Sequence, residues 1–219
     1  MINKFTILFS IIFSLSLFSQ QKTAIERMTE EIQQIKQTTK SIKLVWWIPT
    51  EFWEAVMNEQ NAGTMEQRDY VVNLFKDYTI VVAGDYSLAA NNGALDFTVN
   101  DVRKSLIFSE NGKVVPILDD SDIDSEVLKM MNDTMKPVFA QMLGTIGSGI
   151  DVFIFNNKDS AGKRILDPYK KGNFSVKIGK DIFEWNLPLV SLMKEKVCKT
   201  DSAKFPGNYV YCPFHGTEL

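Results

Sequence analysis

The chain has 219 residues and a formal net charge of −3; 45% of its residues are hydrophobic and 23% are charged. The length and apolar content suit one hydrophobic core of ordinary size, and the charged fraction is that of a globular protein. A mildly acidic balance gives no electrostatic basis for binding nucleic acid, so that partner class is excluded.

The first segment has the three parts of a secretory signal peptide. Lys4 supplies a basic start, an apolar run of about 14 residues extends from Phe5 to Phe18, and the small residue Ser19 suits a cleavage position. The run is shorter than the roughly 20 residues that a membrane-spanning helix needs. We therefore predict that residues 1–19 are removed, that no stable membrane anchor remains, and that the protein is exported to the periplasm or secreted.

Residues 20–42 are predicted to form an amphipathic N-terminal helix. The apolar residues recur at helical spacing and the positions between them are polar: Ile25, Met28, Ile32, Ile35 and Ile42. The stripe is too short for a dimeric coiled coil, so we expect this helix to pack against its own domain. Binding of a partner protein through the same face is the alternative.

A dense aromatic cluster follows. Residues 43–48 read as a strand ended by Pro49, and Thr50 can cap a helix that carries Phe52 and Trp53. Large aromatic side chains most often build core. Alternation along the strand sends Trp46 and Trp47 to opposite faces, so a platform for sugars or peptides made by Trp46, Trp47 and Trp53 is the alternative.

The middle of the chain predicts strands, hairpins and helices of one α/β or α+β domain over residues 43–195, with helices packed on a mixed β-sheet. Thr64 and Gln67 have capping-box spacing, and the apolar run 79–83 suits a strand covered on both faces. Hairpins are predicted around Asn111-Gly112 and Gly179-Lys180. Residues 125–143 predict a long helix kinked at Pro137. With strand 152–155 it outlines a right-handed βαβ crossover. A final helix is predicted over 188–197.

Several polar residues follow predicted strands: Asp85, Asp119, Asp120 and Asn156. The three aspartates are the candidates for catalysis. If the strands are parallel, these residues gather at one rim of the sheet, where α/β folds bind ligands. A hydrolase-like enzyme with an acid–base or metal-assisted site would result. The chain has no Gly-x-Ser-x-Gly elbow, and we favour a non-enzymatic protein.

The tail, residues 196–219, has ligand-type residues three apart: Cys198 and Asp201, then Cys212 and His215. The sequence Tyr-Cys-Pro-Phe-His-Gly at 211–216 resembles the second knuckle of zinc-ribbon domains, in which Cys-Pro-x-Cys-Gly follows an aromatic residue. The resemblance covers the tail alone, and the main domain resembles no family that we recognise. The resemblance of the tail implies a zinc ion held by Cys198, Asp201, Cys212 and His215, although zinc ribbons normally have four cysteines.

The alternative for the tail is a disulfide between Cys198 and Cys212, with no cofactor. An even pair of cysteines in an exported protein meets an oxidising compartment, and we favour the disulfide on that ground. The sequence thus predicts an exported binding or structural protein of unassigned role, whose candidate partner is a protein or a glycan. The hydrolase and a zinc-binding interaction module in the tail are the alternatives.

Overall fold

The computed structural model describes residues 22–59, 63–91 and 94–219. The predicted signal peptide falls on residues 1–19 and lies outside the described residues. The first described element, α1 (Ala24–Ile32), begins with a capping box in which Thr23 and Glu26 exchange hydrogen bonds. Its buried face of Ile25, Met28 and Ile32 packs on the domain, as expected for an amphipathic helix.

The helix predicted over residues 20–42 is wrong beyond Ile32. The chain continues as strand β1 (Gln33–Gln37), which pairs antiparallel with β2 (Ser41–Ile48) and places Ile35 opposite Leu44. Ile35 is 58% exposed and therefore does not extend the apolar stripe of α1. Glutamine, lysine and threonine fit either structure, so pairing with β2 decides the outcome here.

The next two helices agree with the sequence. Helix α2 (Thr50–Glu59) buries Phe52, Trp53, Val56 and Met57 on one face, and α3 (Met65–Phe75) begins with the predicted capping box of Thr64 and Gln67. In the described part of the chain, no helix has both the length and the apolar character that crossing a membrane requires.

A five-stranded sheet is built around the long strand β3 (Tyr78–Asn91). Strand β2 pairs along one edge of β3; β4 (Ala94–Asn100) and β7 (Asp151–Asn156) share the other. Residues Thr79 to Ala83 are all buried, as predicted for a strand covered on both faces.

A second sheet has the strand order β6-β5-β8-β9. It consists of two predicted hairpins, β5 (Leu106–Glu110) with β6 (Lys113–Val115) and β8 (Gly172–Ile178) with β9 (Asp181–Leu187). Asn111 and Gly112 both have positive φ, which is the conformation that a two-residue hairpin turn requires. The edge strand β6 ends just before Pro116, which has no amide hydrogen to donate to a neighbouring strand.

The two sheets pack face to face through aromatic side chains. Trp47 of the first sheet lies 4.7 Å, centroid to centroid, from Phe174 of the second, which stacks in turn on Trp185 at 4.9 Å. Phe155 meets Phe108 at 4.5 Å. The aromatic residues that the sequence concentrates near residue 50 are therefore part of one continuous core.

Between β6 and β7 the chain is helical: α4 (Ser125–Lys129), a π-helical segment (Met130–Met135), α5 (Lys136–Leu143) and α6 (Thr145–Ser148). The helix predicted over 125–143 is thus present as three consecutive helical segments, and the π-helical one ends two residues before Pro137. The predicted βαβ crossover is wrong, because β6 lies in the other sheet and β7 pairs antiparallel with β3. The α+β form of the predicted fold class is confirmed.

The helix predicted over residues 188–197 is also wrong. Residues Val190–Leu192 form a single 3₁₀ turn, and the carboxylate of Glu31 accepts hydrogen bonds from the amides of Val190 and Ser191. The chain then forms two short strands, β10 (Lys196–Val197) and β11 (Lys204–Phe205), which pair antiparallel and carry the tail.

Candidate metal centre

Two turns in the tail have the same backbone hydrogen bonds. In Cys198–Ala203 the amide of the cysteine donates to the carbonyl five residues later at 2.8 Å, and the amide of Ser202 donates back to the Cys198 carbonyl at 2.9 Å. The turn Cys212–Thr217 repeats both bonds, at 2.8 Å each, with Gly216 in the place of Ser202. We call these the first and second knuckles.

The fourth residue after each cysteine has the left-handed backbone conformation that closes the turn. Gly216 has a φ of 65°, and Ser202 has a φ of 61° although it is not a glycine. Each knuckle joins paired segments: β10 and β11 flank the first, and Tyr211 bridges Glu218 across the second. Because the two knuckles have the same form, Cys198 is equivalent in position to Cys212, and Asp201 is equivalent to His215.

The knuckles bring three ligand-type side chains together. Cys198 and Cys212 are fully buried, and each sulfur lies 3.5 Å from Nδ1 of His215. The two Sγ atoms and a ring nitrogen of His215 all lie within 4.8 Å of one another. Both cysteines are free thiols and are not at disulfide distance. The structure therefore differs from the disulfide that the sequence analysis favoured. Instead of a bond between the sulfurs, one imidazole nitrogen lies within reach of both.

The spacing of the donor atoms fits a single zinc ion. Zinc–sulfur bonds of about 2.3 Å and zinc–nitrogen bonds of about 2.0–2.1 Å at a tetrahedral angle separate S and N by about 3.6 Å. Both sulfur–nitrogen distances here are 3.5 Å. Two thiolates and an imidazole are also donors that zinc prefers. The three side chains could therefore hold zinc without a large rearrangement.

Asp201, the fourth predicted ligand, lies beside this group. Its Oδ2 is 3.9 Å from His215 Nδ1, and its Oδ1 accepts a hydrogen bond from the Ala203 amide at 3.0 Å. That amide is the main cause that lowers the pKa of Asp201; burial opposes it, and a hydrogen bond with the Cys198 thiol lowers the pKa further. The side chain is therefore a carboxylate at neutral pH and could serve as an oxygen ligand.

The environment of the Cys198 sulfur lowers the pKa of this thiol. Burial raises its pKa, but hydrogen bonds to the sulfur from the amides of Thr200 and Asp201 and from the Thr217 hydroxyl outweigh burial, and the pKa falls to about 7. The Thr200 amide lies 3.4 Å and the Thr217 hydroxyl 3.7 Å from the sulfur. Because metals bind the thiolate, this environment favours coordination near neutral pH.

The strand-end carboxylates do not form the rim that parallel strands would give. Strands β3 and β7 are antiparallel, and Asn156 lies opposite Tyr78. Asp85 is seven residues further along β3, which corresponds to about 23 Å. It lies opposite Lys43, whose Nζ is 4.0 Å from its Oδ2, and its Oδ1 accepts from Asn100.

The other two catalytic candidates are in a separate segment. Asp119 and Asp120 begin a 3₁₀ turn directly after Leu118, whose amide donates to the carbonyl of Ile154 in β7. Both side chains are exposed. No contact in the described part of the chain joins these carboxylates to Asp85, so no observation favours the hydrolase.

The tryptophan platform is wrong. Trp46, Trp47 and Trp53 are 4%, 1% and 5% exposed, and all three belong to the hydrophobic core. Trp46 packs against Phe52 and Phe139, while Trp47 packs against Phe174. These residues build the core and offer no surface to a glycan or a peptide.

Sequence reasoning missed Thr217 as a partner of the Cys198 sulfur. The signal that could have found it is the repeat of the knuckle, in which position five after each cysteine closes the turn. That position is Ala203 in the first knuckle and Thr217 in the second, so one knuckle supplies a hydroxyl to the cysteine of the other.

Comparison with known proteins leaves the candidate centre to be judged on its geometry. No protein-family model matches the chain, and neither a curated protein nor a solved structure matches it.

Proposed function

We propose that this is an exported binding or structural protein whose C-terminal tail is organised by a zinc ion. Cys198, Cys212 and His215 hold the ion, and Asp201 is its fourth ligand. One observation carries the proposal: two buried free thiols, presented by two knuckles of the same form, lie 3.5 Å from one imidazole nitrogen. The likeness of the tail to a zinc-ribbon knuckle points the same way.

The role of zinc here is structural cross-linking. The tail has short strands of two residues each, so its own backbone pairing stabilises it little. An ion bound to both knuckles joins residues 14 apart in sequence, and the free energy of metal binding then contributes to folding of the tail. Zinc supplies this link without redox chemistry of its own.

The export proposal rests on residues 1–19. It places the two thiols in an oxidising compartment, where zinc coordination competes with formation of a disulfide. N-terminal sequencing of protein recovered from the periplasm and medium tests this proposal. A mature chain that starts near Gln20 supports it, and a cytosolic protein that retains Met1 contradicts it.

The zinc proposal is tested on mature protein purified without reductant. Native mass spectrometry and elemental analysis should give one zinc per chain. Cys198→Ser, Cys212→Ser and His215→Ala should each lose most of that zinc, whereas Glu218→Gln, a change of an exposed tail carboxylate, should retain it. A metal-free mass that is lower by two hydrogens would show a disulfide and overturn the proposal.

A further inference from the structure

The candidate zinc centre has a buried side and an open side. The sulfurs of Cys198 and Cys212 are enclosed, with 0% and 1% exposure of the two residues. The side chains of His215 and Asp201 are 34% and 41% exposed. Exchange with molecules in solution is therefore possible on the side of His215 and Asp201.

Asp201 is the weakest of the four ligands by position. The ligand atoms of Cys198, Cys212 and His215 all lie within 4.8 Å of one another, and Asp201 does not belong to that group. Its Oδ1 is held by the Ala203 amide, which leaves Oδ2 for a metal. Oδ2 is 3.9 Å from His215 Nδ1, longer than either sulfur–nitrogen distance.

The ligand chemistry also makes Asp201 replaceable. Zinc in a site with two thiolates favours a further sulfur donor, and structural sites are usually closed by cysteine or histidine. With two thiolates and one carboxylate the centre carries a net charge of about −1, and it keeps that charge when a thiolate replaces the carboxylate. Only the displaced Asp201 carboxylate is an added charge beside the centre, and its side chain is 41% exposed to water and hydrogen-bonded to the Ala203 amide.

We propose that the Asp201 position is exchangeable and accepts the thiolate of a low-molecular-weight thiol. This inference rests on the proposed zinc site and deepens it. In the exchange the thiol gives its proton to solvent, a metal–sulfur bond forms and the metal–carboxylate bond breaks. Asp201 remains a carboxylate hydrogen-bonded to the Ala203 amide, and no group is oxidised or reduced.

The test uses full-length mature protein loaded with Co²⁺, whose absorption reports the number of sulfur ligands. Under anaerobic conditions, 2-mercaptoethanol is added to the cobalt protein. We expect the sulfur-to-metal charge-transfer band to increase by about half, as two sulfurs become three, and to saturate at one thiol per chain. Ultrafiltration checks that cobalt stays with the protein.

Variants of Asp201 separate exchange from other effects. Asp201→Ala removes the competing carboxylate and should bind the thiol about tenfold more tightly. Asp201→Cys closes the site with a third protein sulfur, so its band is already larger and should not respond to the thiol. Glu218→Gln, which changes an exposed carboxylate of the same tail, should behave as the unchanged protein does.

The outcomes distinguish this inference from the zinc site itself. Bound cobalt with no response to thiol in either the unchanged protein or Asp201→Ala overturns the exchangeable position and leaves the zinc site standing. Loss of cobalt to the thiol also overturns the inference. Failure to bind cobalt or zinc at all overturns the proposed function instead.

Discussion

At the scale of single residues, the hydrogen bonds to the Cys198 sulfur determine the pH range in which the tail can bind metal. Its pKa is about 7, below that of an unfolded cysteine. A group whose pKa is lower in the folded state stabilises folding above its unfolded pKa, and this contribution is lost as the pH falls through the folded value. Metal-free tail stability should therefore rise between pH 7 and about pH 9.

This pH dependence can be measured as thiolate absorbance at 240 nm in the metal-free protein. We expect one titration step near pH 7 that disappears in Cys198→Ser. Thr217→Val removes the hydroxyl 3.7 Å from the sulfur and should move the step to higher pH. A single step at the pH of ordinary cysteine in the unchanged protein would contradict this account of the sulfur.

A second residue-scale prediction concerns the ion pair of Glu51 and Arg164. Two guanidinium nitrogens donate to the two carboxylate oxygens, at 2.5 and 2.8 Å, and the side chains are only 10% and 28% exposed. Glu51→Gln leaves a largely buried Arg164 without its counter-charge and should lower the free energy of unfolding by about 3 kcal/mol.

Urea denaturation checks the value. The matched control is Lys22→Gln, which breaks an ion pair with Glu30 whose partners are 57% and 59% exposed, and it should change stability by less than about 0.5 kcal/mol. The double variant Glu51→Met/Arg164→Met should be more stable than Glu51→Gln, because no unpaired charge is buried. Equal losses in Glu51→Gln and Lys22→Gln would contradict the assigned role.

At the scale of elements, the turn of the β5–β6 hairpin gives a direct test of backbone conformation. Gly112 has a φ of 77°, and a Cβ there meets no atom within 4 Å, so strain would come from the backbone alone. Gly112→Ala should lower the free energy of unfolding by about 1 kcal/mol. Gly172→Ala is the control, since its φ is ordinary and its Cβ would meet only a Leu187 methyl at 4.0 Å. Equal effects would contradict the prediction.

Elements defined by local residue chemistry could be predicted from the sequence. Asn111-Gly112 and Thr64 with Gln67 encode a turn and a helix start within a few residues, and both occur as predicted. Elements decided by distant partners could not. In β1, Gln34 and Lys36 donate to backbone carbonyls of β9 that are 150 and 146 residues away, and the turn at Val190 depends on the Glu31 carboxylate 159 residues away.

The same distinction applies to the candidate site. The spacing of Cys198, Asp201, Cys212 and His215 predicted a cluster; three of these residues come together in the structure, and Asp201 lies beside them. It could not distinguish free thiols from a disulfide, since that depends on how the two knuckles face each other. The carboxylate rim failed for a topological reason: the strands that precede Asp85 and Asn156 are antiparallel.

At the scale of the whole molecule, the tail and the core are expected to respond separately to metal removal. All four tryptophans lie in the core, at 5% exposure or less, and the tail has none. Glu195, the residue just before the tail, forms ion pairs with Arg27 of α1 at 3.9 Å and with Lys204 of the tail at 3.5 Å. Loss of zinc should therefore make local opening of the knuckles more frequent, while the two packed sheets remain folded.

A chelator experiment tests this separation. EDTA should make the exposed Lys199 and Lys204 open to trypsin, while tryptophan emission and the midpoint of core unfolding stay unchanged. Added zinc should restore protection in the unchanged protein and fail to do so in Cys212→Ser. If EDTA also shifts the tryptophan emission, the metal supports the whole fold. If EDTA leaves both lysines protected from trypsin, the tail does not depend on metal, because its backbone pairing alone would then hold both knuckles.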